Sequence, residues 1–203
     1  NDQLLYVADK YNNRLVQMNE AGIILETREI LKPIAIAQDL RLDLLVSGEI
    51  YYPASGDTIG AIFRINLYEA AHHLAQAQIE TVWIEPSKPN RRFTGIGVLL
   101  ENNYFVVRDG PDNSSFIDPD SKVIWFDKND NKITTLSDLT TRAGSGITDI
   151  LRPTGIAMFP NSNDFVLTQS SVNGTMPYCA LWMVYTKLPD EGWSPKFNPT
   201  KPE

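Results

Sequence analysis

The sequence predicts an all-β protein, a β-propeller built of four-stranded antiparallel blades, and two observations carry this prediction. First, a small residue followed by Ile recurs at intervals of 60 positions, at Ala35, Gly95 and Gly155. Second, an apolar run follows each of these at a fixed offset, with members 60 positions apart at Leu45, Phe105 and Phe165. A fixed period of this length signals a repeat architecture, and a unit of four short strands is the blade of a propeller.

Apolar and polar residues alternate between clusters of turn residues, and this pattern gives the order of the strands. The first unit has predicted strands at 4–8, 14–18 and 23–27. The next two units have four each, at 34–38, 44–47, 61–66 and 79–85, and at 94–100, 104–108, 122–126 and 132–136. The fourth unit has strands at 154–159, 165–168 and 180–186, with no fourth strand predicted after them. We therefore assign about three and a half blades to residues 1–188 and a Pro-rich tail or linker to 189–203.

One segment departs from the strand pattern. Over residues 67–77 the apolar period changes from two to about 3.6 and the composition becomes rich in helix formers. We expect a short helical insertion there, with Leu67, Ala70, Ala71 and Leu74 against the edge of a blade.

Composition excludes some classes of partner. The formal charge of −7 and the pI near 4.9 argue against a nucleic-acid partner, because phosphate binding needs clustered Lys and Arg. No run of eighteen apolar residues is present, so we expect no membrane span. The single cysteine, Cys179, allows no internal disulfide and no zinc motif, which leaves the compartment open. Between the cytosol and the exterior, we favour an extracellular or cell-envelope location.

One stretch carries a family resemblance. An aromatic-rich strand, an Asp, an Asn, an Arg, an apolar strand and a Gly turn follow each other in LYVADKYNNRLVQMNEAG, residues 5–22. This stretch resembles the repeat of NHL-type β-propellers, while the later units keep the start of the motif and lose its compact Asp-to-Arg turn. The resemblance implies a propeller, usually of six blades, so we expect these 203 residues to be part of a longer propeller; a closed four-bladed ring is the alternative. It implies no particular activity, because relatives include protein-binding and RNA-binding modules and lyase, lactonase and strictosidine-synthase-like enzymes.

A candidate binding surface follows from the propeller prediction. Three long loops between second and third strands, at 48–60, 109–121 and 169–179, open on one face, which also receives the long link 137–152. The candidate binding residues on this face are Tyr51, Tyr52, Asp57, Asp109, Asp112, Phe116, Asp118, Arg142 and Tyr178. Such a mixture of aromatic and charged side chains suits recognition of a protein or a glycan.

A calcium site is a second hypothesis. Asp9, Glu49 and Asp109 are predicted at equivalent ends of second strands, with Gln169 in their place in the fourth unit. Three carboxylates near a ring axis are able to coordinate calcium, as in lactonase-like propellers. The interpretation that we prefer is that each acid caps its own loop.

Catalytic motifs find little support in the sequence. His72 and His73 are adjacent on the predicted helix and would point about 100° apart, and no activating histidine is identifiable for Cys179. We therefore predict a non-enzymatic interaction module without a cofactor, a component of a larger cell-envelope or extracellular assembly that binds a protein or a glycan. The alternative is a calcium-dependent hydrolase or lyase, lactonase-like or strictosidine-synthase-like.

Overall fold

The computed structural model describes residues 4–85, 91–108, 122–135, 153–159, 162, 164–169, 181–188 and 192–197. These residues form fifteen strands in four antiparallel sheets, with one three-residue 3-10 helix, so the all-β prediction is confirmed. The chain divides into two compact units, Asn1–Phe93 and Thr94–Glu203. Within the described part of the chain, no helix has the length and apolar character needed to cross a membrane.

The first unit contains two sheets, in each of which neighbouring strands follow the order of the chain. Sheet A consists of β1 (Leu4–Asp9), β2 (Arg14–Asn19) and β3 (Ile24–Glu29), and the 3-10 helix Lys10–Asn12 joins the first two. Sheet B consists of β4 (Ile36–Gln38), β5 (Leu44–Tyr52), β6 (Asp57–Asn66) and β7 (Gln78–Ile84).

The second unit also contains two sheets with strands in chain order. Sheet C consists of β8 (Phe93–Val98), β9 (Tyr104–Arg108), β10 (Lys122–Phe126) and β11 (Lys132–Thr135). Sheet D consists of β12 (Pro153–Met158), β13 (Phe165–Gln169), β14 (Leu181–Leu188) and β15 (Gly192–Phe197). The expectation of no fourth strand after β14 is wrong, since β15 pairs with β14, with Trp193 opposite Lys187.

One kind of hairpin turn recurs at the 60-residue interval. In the β4–β5 turn the Asp39 amide donates to the Asp43 carbonyl at 2.9 Å, and Leu42 adopts a left-handed conformation with φ 71°. In the β8–β9 turn the Leu99 amide donates to the Asn103 carbonyl in the same way, at 2.7 Å. A left-handed residue before the returning strand is typical of hairpins with loops of this length. The predicted period therefore holds between sheets B and C.

In sheet D the period breaks by one residue, because the β12–β13 turn is one residue longer than the β4–β5 turn. Phe165 begins β13 opposite Met158, just as Leu44 begins β5 opposite Gln38. Phe165 is thus the counterpart of Leu44, and its predicted alignment with Leu45 is wrong by one position. Since side chains alternate along a strand, this shift places Phe165 on the other face of its sheet.

Sheet A corresponds to the last three strands of sheet C. The β2–β3 turn closes with the Asn19 amide donating to the Ile23 carbonyl at 3.1 Å, and the β10–β11 turn closes with Asp127 donating to Asn131 at 2.9 Å. In both pairs the strand after the turn carries a bulge, with Leu25 of β3 and Ile133 of β11 as the extra residues. β1 therefore holds the place of a second strand, as predicted.

The register of β1 follows from this correspondence. Leu5 lies opposite Met18 before the β2–β3 turn, and Tyr104 lies opposite Phe126 before the β10–β11 turn. Leu5 is therefore the counterpart of Tyr104 and, through the 60-residue period, of Leu44.

The core of the first unit lies between sheets A and B. Tyr6 and Ala8 of β1 pack against buried residues that come mostly from sheet B and the segments around it. These buried residues are Leu15, Ile30, Leu44, Val46, Ala61, Phe63, Ile65, Leu67, Leu74 and Ala77. The face of β5 that carries Leu44 and Val46 therefore packs on sheet A.

The core of the second unit lies between sheets C and D. Its buried residues are Leu99, Phe105, Val107, Val123, Phe165 and Leu167. The rings of Phe105 and Phe165 meet across the two sheets, with centroids 5.0 Å apart. A Cβ added to Gly95 would lie 3.1 Å from the amide nitrogen of Ile156, so β8 and β12 approach too closely for a larger side chain.

Residues 67–77 form a series of turns and not the predicted helix. Ala71 and His72 have φ values of 51° and 68°, in the left-handed region that a right-handed helix cannot contain. Sheet A holds the segment in this form. The side-chain amide of Gln17 donates to the His72 carbonyl at 2.8 Å. The backbone amide of Ala75 donates to the Glu26 carboxylate, also at 2.8 Å. These tertiary contacts override a weak local preference for helix.

Candidate functional site

The structure describes three of the nine predicted binding residues, Tyr51, Tyr52 and Asp57. The other six lie outside the described residues: Asp109, Asp112, Phe116, Asp118, Arg142 and Tyr178. Of the predicted surface, the segment 48–60 is therefore the part whose geometry is known.

The segment 48–60 is a continuous hairpin, and its prediction as a long loop is wrong. β5 continues to Tyr52 and β6 begins at Asp57, so the turn between them is confined to residues 53–56. Tyr51 lies opposite Thr58, and Tyr52 lies opposite Asp57. Two of the predicted binding residues therefore form a cross-strand pair at the end of a hairpin.

Glycines near the ends of this segment allow neighbouring backbones to approach the hairpin. A Cβ on Gly48 would lie 2.8 Å from the carbonyl oxygen of Leu31, and a Cβ on Gly60 would lie 2.8 Å from that of Arg91. In strands, glycine is suited to positions where another backbone passes closely. The segments before and after sheet B therefore cross the hairpin at its glycines.

The hairpin extends beyond its neighbours. In the part of the chain that the structure describes, β5 has partners on its β4 side up to Glu49, and β6 has partners on its β7 side down to Gly60. We call the two-stranded remainder, residues 50–59, the hairpin arm. At its end the Tyr51 side chain is 60% exposed, and Asp57 is exposed as well.

A buried carboxylate lies at the base of the hairpin arm. Glu49 is only 3% exposed. Its Oε2 accepts hydrogen bonds from Thr58 Oγ1 at 2.6 Å and from Lys32 Nζ at 3.1 Å, and its Oε1 pairs with Arg92 Nε. Both oxygens thus have donors, which come from the segment before β4, from the arm and from the segment before β8. Glu49 ties these three segments together.

The same contacts determine the charge state of Glu49. Burial raises its pKa, but the hydrogen bonds from Thr58 and Lys32 and the charges of Arg92 and Lys32 outweigh burial and hold the pKa below its ordinary value of 4.5. The carboxylate is therefore ionised at neutral pH.

Glu49→Gln should make the free energy of unfolding less dependent on pH in the acidic range. A lowered carboxyl pKa contributes stability that is present above the unfolded-state pKa and is lost as pH falls through the folded-state pKa. We expect the free energy of unfolding of the natural protein to fall below about pH 4.5 more steeply than that of Glu49→Gln. Urea unfolding across this range measures both slopes. The exposed Glu29→Gln is the control, and identical slopes for all three proteins would contradict the prediction.

The acids predicted to share the place of Glu49 do not all do so. Because Leu5 and Phe165 are counterparts of Leu44, Asp9 and Gln169 both fall at the place of Gly48. The Asp9 side chain therefore leaves its strand on the face opposite to that of Glu49. The predicted equivalence is wrong for these two residues, and Asp109 lies outside the described residues.

Asp9 is engaged within its own loop. Asn12 Nδ2 lies 2.8 Å from both oxygens of the Asp9 carboxylate, and Arg14 Nε lies 2.9 Å from Oδ2. Hydrogen bonds from Asn12 and Arg14 lower the Asp9 pKa. In the described ranges no group of three or more His, Cys, Asp and Glu side chains is arranged to hold a metal ion. Calcium binding stays a prediction.

The two histidines lie in the turn segment 67–77. His73 Nδ1 is 2.7 Å from Glu26 Oε1, a contact that the sequence did not indicate, while the His72 carbonyl accepts from Gln17. Both contacts fasten the segment to sheet A. Cys179 lies outside the described residues.

Sequence reasoning also missed an open groove of about 730 Å³ in the first unit. Arg14, Arg28 and Glu29 of sheet A line it, together with Ala75 and Ile79. Arg28 Nη1 donates to the Ala75 carbonyl at 2.6 Å, so this guanidinium also braces the groove wall.

No protein-family model matches this chain, and no curated protein matches it. Among solved structures, the crystal structure of a protein of unknown function from Bacteroides caccae is similar to it. The identity is 13%, over 98% of this chain and 73% of that chain, and the TM-score is 0.41. This similarity assigns neither a family nor a function.

Proposed function

We propose that this chain is a non-enzymatic interaction module of the β-propeller type, which binds a protein or a glycan through the hairpin arm. Two features support the propeller. Each of the four sheets has its strands in chain order, as a propeller blade does. Within each unit, the second sheet packs its apolar face on the first.

The observation that carries the binding proposal is the exposed Tyr51 at the end of a braced arm. A tyrosine presents a large contact area with few rotatable bonds, and tyrosines are enriched among the residues that dominate binding energy. The base of the arm is fixed by the ion pairs of Glu49 and by the close backbone contacts at Gly48 and Gly60. A rigid support for an exposed aromatic side chain favours recognition over catalysis.

The partner and the setting belong to the same proposal. An acidic chain, with a formal charge of −7, is unsuited to a polyanionic partner. We propose a component of a larger extracellular or cell-envelope assembly, in which the arm contacts a neighbouring protein or a glycan.

Tyr51 should report the partner directly. We would replace Tyr51 with the photo-crosslinker p-benzoylphenylalanine and irradiate the full chain in extracts of its source cells, and in parallel screen the natural chain on a glycan array. Binding to any purified protein or glycan so identified should weaken about tenfold or more in Tyr51→Ala, the effect expected for an aromatic anchor.

Tyr68 supplies the matched control, because it is also an exposed tyrosine but lies beyond the other end of β6. The crosslinker at position 68 should not give the same adduct, and Tyr68→Ala should bind as the natural chain does. Equal affinities of the Tyr51→Ala and Tyr68→Ala variants for every identified ligand would refute the proposed role of the arm.

A further inference from the structure

Among the described residues, sheet A has no strand on the side of β1 away from β2, where the other three sheets have one next to their second strand. In sheets B, C and D the second strand has a partner on each side, whereas the described residues pair β1 with β2 alone. We propose that an extended segment of a partner protein adds to sheet A as an antiparallel strand along the free edge of β1. This contact is separate from the hairpin arm.

The apolar side chains of β1 are more exposed than those of its counterpart strand in sheet B. Leu5 and Val7 are 48% and 41% exposed. Their counterparts in sheet B, Leu44 and Val46, are 1% and 0% exposed. β1 thus has the apolar side chains of an interior strand in the setting of an edge strand.

The composition of β1 also sets it apart from the other edges. Proteins protect edge strands with charge, proline, bulges or very short length. β4 has three residues, and β3 and β7 are bulged against their neighbours. β8 lacks these devices, but its Phe93 and Ile96 are buried, unlike Leu5 and Val7 of β1. The remaining edges carry a proline, a lysine or both, at Lys132, Pro153, Pro195 and Lys196. β1, Leu-Leu-Tyr-Val-Ala-Asp, has none of these over its first five residues.

Sheet B shows how an added strand would pair. The Ser47 amide donates to the Ala35 carbonyl, and the Ile34 amide donates to the Ser47 carbonyl, both at 2.9 Å. Ser47 corresponds to Ala8, so Ala8 and, by alternation, Tyr6 direct their amides and carbonyls to the free edge. A strand that enters there would have backbone hydrogen bonds available at both residues.

The same comparison gives the chemistry of the partner. Ala37 lies opposite Leu45, the counterpart of Tyr6, and Ile36 lies opposite Val46, the counterpart of Val7. The fitting segment is therefore extended, with a small residue opposite Tyr6 and an aliphatic residue opposite Val7. The mode is β-strand addition, in which backbone hydrogen bonds give affinity and side chains give register.

A peptide probe tests this inference on the full chain. A fluorescein-labelled peptide with the sequence Lys-Pro-Ile-Ala-Ile-Ala-Gln-Asp copies residues 32–39. We expect saturable one-to-one binding by fluorescence anisotropy, and slowed hydrogen exchange at the amides of Tyr6 and Ala8.

Two methylated peptides provide the matched comparison. N-methylation at the position of Ala37 removes an amide that points to β1 and should weaken binding about tenfold or more, whereas N-methylation at Ile36 removes one that points away and should leave affinity nearly unchanged. Absence of binding, equal effects of the two methyl groups, or protection outside β1 would overturn the inference. So would self-association of the chain through β1 in sedimentation experiments, because the occupant would then be a second copy.

Discussion

Asp39→Ala is expected to lower the free energy of unfolding by about 3–5 kcal/mol. Asp39 is 5% exposed, and its Oδ2 lies 2.7 Å from Nη1 of Arg64, which is 7% exposed. The substitution leaves the guanidinium buried without that carboxylate, which costs more than the pair itself contributes. Asp39 Oδ1 also accepts the amides of Arg41 and Asp43, at 2.8 Å and 3.0 Å, so the β4–β5 turn is weakened as well.

Urea unfolding at neutral pH measures this effect, with the exposed Asp57→Ala as a control that should change stability by less than about 0.5 kcal/mol. Adding Arg64→Met to Asp39→Ala should recover part of the loss, because the buried charge that faced Asp39 is removed while the turn hydrogen bonds remain absent. A loss below about 1 kcal/mol in Asp39→Ala would mean that the buried pair does not form in solution.

The strands and turns of this chain could be predicted because their signals are local. Alternation of apolar and polar residues predicts fourteen of the fifteen described strands, with β15 missed and β5 and β6 too short, and turn residues mark the hairpins. The 60-residue period also identified the shared β4–β5 and β8–β9 turns. It failed at Phe165, where one extra residue in a turn leaves the apolar pattern intact but exchanges the two faces of the strand.

The turn segment 67–77 shows why a local signal can mislead. Its composition favours a helix, but Gln17, Glu26 and Arg28 of sheet A bind backbone groups of the segment and hold it in turns. These contacts join residues about 50 positions apart in the chain, so no window of sequence contains them. Leu67, Leu74 and Ala77 still enter the core, because burial needs position and not helical form. Ala71, expected on the buried side of the helix, is exposed.

The candidate site was predictable in its residue types but not in its geometry. Tyr51 and Asp57 fall in the predicted loop because the predicted strands end at residue 47 and begin again at 61, whereas the observed strands continue to Tyr52 and from Asp57. Glu49 is a candidate calcium ligand in the sequence because it aligns with Asp9 and Asp109 at the ends of second strands. Its actual partners, Lys32 and Arg92, lie far from it in the chain, so the sequence does not reveal that it is neutralised. Contacts between distant segments determine what a buried carboxylate does.

Phe105→Ala and Phe165→Ala are each expected to destabilise the chain by about 3–5 kcal/mol. Both side chains are fully buried, and their ring planes are inclined at 51° across the interface of sheets C and D. Each truncation removes one wall of the same contact and leaves a cavity that the packed neighbours fill incompletely. Thermal or urea unfolding of the single variants measures the loss, and the exposed Ile133→Ala should cost far less.

A double-mutant cycle on these two rings decides the register of sheet D. If Phe165 occupied the place of Phe105 in its own sheet, as the 60-residue period suggests, it would face away from sheet C and the two substitutions would add. In the observed register the rings touch, and we expect a coupling of about 0.5–1.5 kcal/mol in a cycle of Phe→Leu substitutions, which keep the double variant folded. A cycle of Phe105 with Phe126, which lies on the opposite face of sheet C, should give a smaller coupling. If the two substitutions in the first cycle were additive, the register of the unbroken period would be favoured. Substitutions of two rings in contact are not expected to have additive effects on the free energy of unfolding.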